Sequence, residues 1–231
     1  MVAVEANLGP PGDHWIRRAV RLQLDLRAFD DARFLPYLLR CRQAGIDFPT
    51  MVDLGDTAGC RRALYELNKT CAADIPGRGE FYTFAEYVQQ RLTPPGYDPH
   101  GVILALSKDD WVGMAATSLR DESCAVSDMT GVLPGYRGRG ISMAMKLLAI
   151  GYARSNGMRW LDSLHHPANA AAIGMNRRLG FVDYEPLRLV HSPWLSVRGC
   201  SAHGPGVLSS RPCAPATRTP PRRRLRGSSR C

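Results

Sequence analysis

Lysine is nearly missing from this chain of 231 residues: Lys69, Lys108 and Lys146 are the only three among 30 basic side chains. Several other absences narrow its class. No run of about 18 apolar residues occurs, so no membrane-spanning helix and no membrane partner are expected. No basic start is followed by an apolar stretch, so a secretory signal is not indicated and the cytoplasm is the expected location. The seven cysteines (Cys41, Cys60, Cys71, Cys124, Cys200, Cys213 and Cys231) are odd in number and contain no Cys-x-x-Cys. That argues against a disulfide framework and a zinc site, and no metal is expected. Residues 197–231 hold no acid and no aromatic side chain, but eight arginines.

Those eight decide how the net charge of +9 is read. Without them, residues 1–196 carry 22 basic against 21 acidic side chains. The basicity is that of a Pro-, Gly-, Ser- and Arg-rich tail, a composition too poor in apolar surface to offset the entropy of ordering. It is expected to be disordered. A nucleic-acid-binding arm, a solvated appendage and residues from a shifted reading frame in GC-rich DNA are the readings left open. Nucleic acid is not expected as the partner of the folded part.

Between the ends, strand and helix patterns alternate. Ala19–Leu26 places Val20, Leu22, Leu24 and Leu26 on one strand face. Asp30-Asp31 caps a helix to about Gln43. Residues 46–52 read as a short strand, and helices are expected from Asp56-Thr57 to Pro76 and over 83–92. Two strands flank the Asp109-Asp110 turn, and Ser123–Leu133 is a third. Ile141, Ala144, Met145, Leu148 and Tyr152 form a helix face. A strand over 159–164, a helix over 169–179 and a strand over 181–190 close the pattern. Antiparallel strands followed by α/β alternation predict an α/β fold with a mixed sheet.

The most informative stretch is Leu133-Pro-Gly-Tyr-Arg137-Gly-Arg-Gly140-Ile-Ser142, between a strand and a helix. Glycines let the backbone turn tightly, and a helix start offers unpaired N–H groups and the positive end of a dipole. Together they read as a phosphate cradle. It is not a nucleotide P-loop, because Lys146 lies too far along. It is not a dinucleotide fingerprint either, because Met143 stands where the third glycine belongs.

Arg137-x-x-Gly140-x-Ser142 resembles the coenzyme A pyrophosphate signature of the GNAT superfamily of N-acetyltransferases, with Ser142 departing at the last slot. Asn169, Ala172, Ile173 and Leu179-Gly180-Phe181 resemble the family's later helix. The two segments stand in the family's order, and the likeness covers about residues 46–191. A closer likeness is to actinobacterial members with two such domains in tandem, of mycothiol-synthase-like layout. On that likeness residues 1–45 are an N-terminal strand-helix extension, either the end of a preceding domain or an ordinary addition. Residues 46–196 are then the acetyltransferase domain and 197–231 the tail.

The resemblance implies acetyl-coenzyme A as acyl donor and a small-molecule primary amine as acceptor: an amino sugar, an antibiotic or an amino-acid conjugate. It implies binding by Val132, Arg137, Gly138, Arg139, Gly140, Ile141, Ser142, Asn169 and Asn176, between strands ending near Leu133 and Leu164. Asp128 is the candidate base, read as sharing a strand face with Val132 four residues on; a structural acid is the competing reading. Asn176 occupies the slot where many members carry a tyrosine acid, and Tyr184 is the candidate substitute. A catalytically silent acyl-coenzyme A-binding module is the alternative, and a homodimer is left open. His165 and His166 read as strand-end histidines, with His165 at the edge of the substrate cleft. Trp160, Met143 and Met145 read as core.

Overall fold

Val20–Asp25 (β1) shows how the sheet is assembled. Its alternating Leu22 and Leu24 are buried, and it pairs antiparallel with Trp160–His165 (β6) on one side and Val182–Asp183 (β7) on the other. The computed structural model describes residues 18–185. Their remaining strands are Ile46–Asp47 (β2), Val102–Ser107 (β3), Asp110–Leu119 (β4) and Cys124–Val132 (β5). The sheet runs β2-β3-β4-β5-β6-β1-β7, and β5 with β6 is the parallel pair in an otherwise antiparallel arrangement. A parallel pair needs a crossover, and the helix Ile141–Ser155 (α4) supplies it.

Helices cover both faces. Leu35–Gln43 (α1) and α4 lie over one face, with Ile103, Ala115, Ala125 and Leu161 packed against Ile141, Met145 and Ile150. Ala58–Ala72 (α2) and Phe84–Tyr87 (α3) lie over the other, where Leu104 and Met114 meet Leu64, Leu67 and Tyr87. Adjacent residues such as Ile103 and Leu104 thus serve opposite cores, as strand alternation requires. In α2, Leu64, Leu67, Asn68 and Cys71 share a buried stripe at helical spacing. Ala170–Arg178 (α5) precedes β7.

Several sequence expectations shift in extent. The segment expected as an extension supplies β1 and α1 to this sheet and its core, and no break in packing falls at residue 45. The strand expected over 46–52 stops at Asp47, because Pro49 lacks an N–H and Asp53 folds back to accept from Thr50 N and Oγ1. Asp30 caps a 3-10 turn at Asp31–Arg33, and α1 begins after it with Pro36 in its first turn. The helix expected over 83–92 opens with a Thr83–Glu86 capping box and widens into a π turn at Val88–Leu92. The last strand is two residues long, and the part expected beyond Glu185, like the tail, lies outside the described residues. Trp160 is half-buried rather than core, with the Arg159 guanidinium 4.6 Å from its ring centre.

Candidate functional site

β5 and β6 pair only from Cys124↔Trp160 to Ser127↔Ser163. Beyond that point β5 runs on to Val132 and β6 to His165, and the strands part around a cleft of about 390 Å³. The parting begins at a bulge. Ala116 on β4 faces Met129, but Thr117 faces Ser127, so Asp128 is the extra residue. A bulge of this kind bends the strand and increases its twist.

The bulge also reverses the faces of β5. Ala125 packs in the α4 core, Met129 in the α2/α3 core and Val132 in the α4 core again. A Cβ on Gly131 would collide with Cys71 of α2. Asp128 therefore does not share a face with Val132, as the spacing of four residues suggests. It lies toward the π turn, 3.9 Å from Arg91, and hydrogen-bonds Ser118. Its side chain remains about a quarter exposed to the cleft. Burial raises its pKa above the usual carboxylate value, while Arg91 and the Ser118 hydrogen bonds pull the other way.

Leu133 N donates to Val112 O on β4. Along a strand, successive N–H groups point to opposite sides, so the Val132 N–H and C=O point into the cleft. After a 3-10 turn at Pro134–Tyr136, Gly138 (φ 74°) and Gly140 (φ 82°) take the left-handed conformation that glycine alone adopts at no steric cost. Gly140 is constrained twice, because a Cβ there would sit 2.8 Å from Tyr37 Cδ1 of α1. α4 then starts with no side-chain cap. Among the described residues, the amides of residues 138–143 find no acceptor within the protein.

The arginines of this loop behave otherwise than the motif suggests. Arg137 turns inward: its Nε donates to Val132 O at 2.9 Å and its guanidinium pairs with Asp74. Arg139 donates to Gly135 O at 2.9 Å and lies 5.1 Å from the Tyr136 ring centre. The cradle is thus one of backbone amides. Gly138, Gly140, Ile141 and Ser142 line the cleft with Val132 and Arg137. Asn169 lines it too, but its Oδ1 is committed to capping α5 through Ala172 N. Tyr184 does not reach the cleft. Its backbone bonds Arg21 on β1, beyond β6 and at the far side of the sheet from the gap.

Beneath the point of parting lies a polar cluster. Lys146 of α4 is 1% exposed, with Nζ 2.8 Å from Ser127 Oγ and 4.9 Å from the Phe181 ring centre. His165 Nε2 lies 2.7 Å from Asn176 Nδ2 and 2.9 Å from Ser163 Oγ. Asn176 Nδ2 also donates to Ala172 O, which assigns its orientation and makes His165 Nε2 an acceptor. Asn176 Oδ1 is then buried with no partner among the described residues. Desolvation lowers Lys146 to about 7. Burial, then the charge of Lys146, lowers His165 to about 4. The loop motif does not reveal Lys146, but one signal does: it is the lone charge in the first thirteen residues of a helix apolar nearly all round, where a lysine must be buried.

These features coincide with a known family. The model of the Acetyltransferase (GNAT) family matches residues 61–181, just over half of the chain. The chain belongs to this family, and acyl transfer to an amine is the chemistry that membership implies. Among curated proteins it is similar to the mycothiol acetyltransferase of Thermobifida fusca, 27% identical over 128 residues, covering 51% of this chain and 39% of that protein. It is also 29% identical over 124 residues to the mycothiol acetyltransferase of Thermobispora bispora, covering 51% and 41%. It thus spans about two-fifths of these relatives' length. Its fold resembles a GCN5-related N-acetyltransferase from Sphaerobacter thermophilus (TM-score 0.50, 21% identity, 72% of this chain and 48% of that one). A glucosamine N-acetyltransferase region of a fungal multi-domain β-N-acetylglucosaminidase is similar in fold (TM-score 0.52, 14% identity, 72% and 20%).

Proposed function

We propose that the chain transfers an acetyl group from acetyl-coenzyme A to the primary amine of a small molecule by direct attack. The observation that carries this reading is the uncapped, glycine-turned start of α4 at the mouth of the β5/β6 gap. Two details fit the coenzyme. Six consecutive loop and helix-start amides have no acceptor among the described residues, which suits a pyrophosphate. Asn176 lines the same cleft, and its buried Oδ1, without a partner among the described residues, can accept from an amide N–H or a thiol.

Acetyl-coenzyme A would supply a thioester carbonyl for the amine to attack. The amides of residues 138–142 would hold its pyrophosphate. The Val132 N–H, aimed into the gap, would bind the extended arm or the developing oxyanion. Asp128 would take the proton of the incoming amine. Burial suits it to that task by moving its pKa toward the operating pH. Its place on the α2/α3 side supports acceptor binding on that side of the cleft. The similarity to two mycothiol acetyltransferases supports a small-molecule amine as acceptor, in the classes of amino sugars, antibiotics and amino-acid conjugates. No helix among the described residues is long and apolar enough to cross a membrane, and we place the protein in the cytoplasm.

The test is thermal unfolding with about 1 mM acetyl-coenzyme A. A Kd of about 10 µM would add about 2.7 kcal/mol to stability. An unchanged midpoint would reject the reading. A panel of small amines read by mass spectrometry then seeks the acetylated product. Asn176 in place of a proton donor favours one competitor, a silent acyl-coenzyme A-binding module, which would be stabilised yet acetylate nothing.

A further inference from the structure

Tyr136 and His166 line the cleft beyond the ends of β5 and β6, whereas at its apex, where the strands part, the described residues offer few groups to protonate a departing thiolate. Asn176 is an amide. Tyr184 is remote from the gap. Cys71 lines the cleft, but burial pushes its thiol up to about 11. His165 Nε2 is an acceptor twice over. Asp128 faces the α2/α3 side and is assigned the amine's proton.

Lys146 is the ionisable group directly behind the apex, reaching it through Ser127, and its setting is unusual. A buried ammonium ordinarily has a carboxylate partner, because the desolvation cost is otherwise large. Lys146 has none among the described residues. From β5 it meets the Ser127 hydroxyl, and from β7's approach the ring of Phe181. From β6 the group that couples with it is His165, whose proton affinity it lowers; α5 contributes the neutral Asn176. Ser127 is the last residue of β5 paired with β6, so it stands at the apex of the cleft and lines it. Its oxygen accepts from Lys146, and its own hydroxyl proton has no acceptor among the described residues. The pair therefore joins a buried amine to the cleft through one rotatable O–H.

We propose that Lys146 and Ser127 deliver the proton to the leaving coenzyme thiolate, Ser127 in contact with the sulfur and Lys146 behind it. The step balances. Ser127 gives its hydroxyl proton to the sulfur anion as Lys146 Nζ gives one to Ser127 Oγ. Lys146 is left as the neutral amine and recovers a proton from solvent through the open cleft after product leaves. Its lowered proton affinity suits the task, because an acid poised near neutrality gives up its proton readily. This inference rests on coenzyme binding as proposed above.

The scarcity of lysine makes the test direct. Lys69 and Lys108 are exposed and Lys146 is buried, so a chain labelled with 13Cε-lysine gives three resonances from two kinds of environment. Lys146→Met identifies the third by its loss. The full chain is titrated with pH alone, with coenzyme A, and with desulfo-coenzyme A, which lacks the sulfur. With coenzyme A the Lys146 resonance is expected to titrate in two steps rather than one, the second displaced at least tenfold in proton affinity, because the bound thiol and the amine exchange a proton through Ser127 and ionise as a coupled pair. Desulfo-coenzyme A should leave the single step unmoved, and Ser127→Ala should weaken the coupling. If both compounds bind, as loop amide shifts report, yet Lys146 titrates alike with each, the proton-delivery pair is refuted while the coenzyme reading stands. If neither binds, the coenzyme reading itself fails.

Discussion

Two helices open onto the same cleft, and their starts are built in opposite ways. α5 is closed by its own sequence: Asn169 Oδ1 accepts from Ala172 N. α4 is left open, with glycines on both sides of Arg139 and no capping side chain. Elsewhere the chain caps readily, with Thr57 on α2 and Thr83 with Glu86 on α3. A helix cap is worth about 1 kcal/mol, so an uncapped start gives up stability that the sequence could have taken. The contrast separates hydrogen-bonding capacity used by folding from capacity kept for a ligand.

Gly140→Asp should break that contrast most severely. The carboxylate would stand among the free amides, and the left-handed φ and the Tyr37 contact would add strain. Binding of coenzyme A, measured by isothermal titration, should become undetectable. Gly140→Ala carries the same strain without the charge, and retains measurable affinity if the charge is the cause.

Lys146→Met comes next and acts beneath the open start. The folded-state pKa of about 7 lies below the ordinary lysine value of 10.5, so the native state holds fewer protons than the unfolded chain between those limits. The destabilisation is therefore complete below about pH 7 and fades as pH rises toward 10.5. Methionine removes it, so the variant should exceed the parent by roughly 4 kcal/mol near pH 7 and converge with it near pH 10.5. Denaturant unfolding at the two pH values checks this, and a constant gap contradicts it.

Asn169→Ala should cost about 1 kcal/mol of stability through the lost cap of α5. Its effect on coenzyme affinity should be far smaller than that of Gly140→Asp, because Asn169 Oδ1 already serves the backbone. The smallest change is expected at Asp74. Its pair with Arg137 is exposed and worth less than about 1 kcal/mol. Asp74→Asn should leave the unfolding midpoint almost unchanged while freeing Arg137 for an anion and tightening coenzyme binding a few-fold. Unchanged or weaker binding would show that Arg137 does not reach the ligand.

What the sequence disclosed follows the same division. The helix starts, the glycine loop and the mixed sheet are written in local signals: cap residues, turn residues and periods of two and 3.6. The site's inner geometry is not local. The bulge at Asp128 inverts a face assignment that spacing alone supported, and no residue type announces it. Arg137 reads as a phosphate ligand until Asp74, 63 residues away, is brought beside it. Tyr184 lies near Asn176 in sequence, yet β1 stands between its strand and β6. Asn176, His165, Ser127 and Lys146 come from four separate elements, and only the fold gathers them.

The amide spectrum of the 15N-labelled chain during titration with coenzyme A tests the central claim most directly. The N–H signals of Gly138, Arg139, Gly140, Ile141 and Ser142 should move downfield together and saturate. Those of Ala170, Ala171 and Ala172 at the capped start should shift far less. Saturating coenzyme A that leaves the residues 138–142 in place, or moves both helix starts alike, would contradict the assignment of the open start of α4 as the coenzyme's anchor.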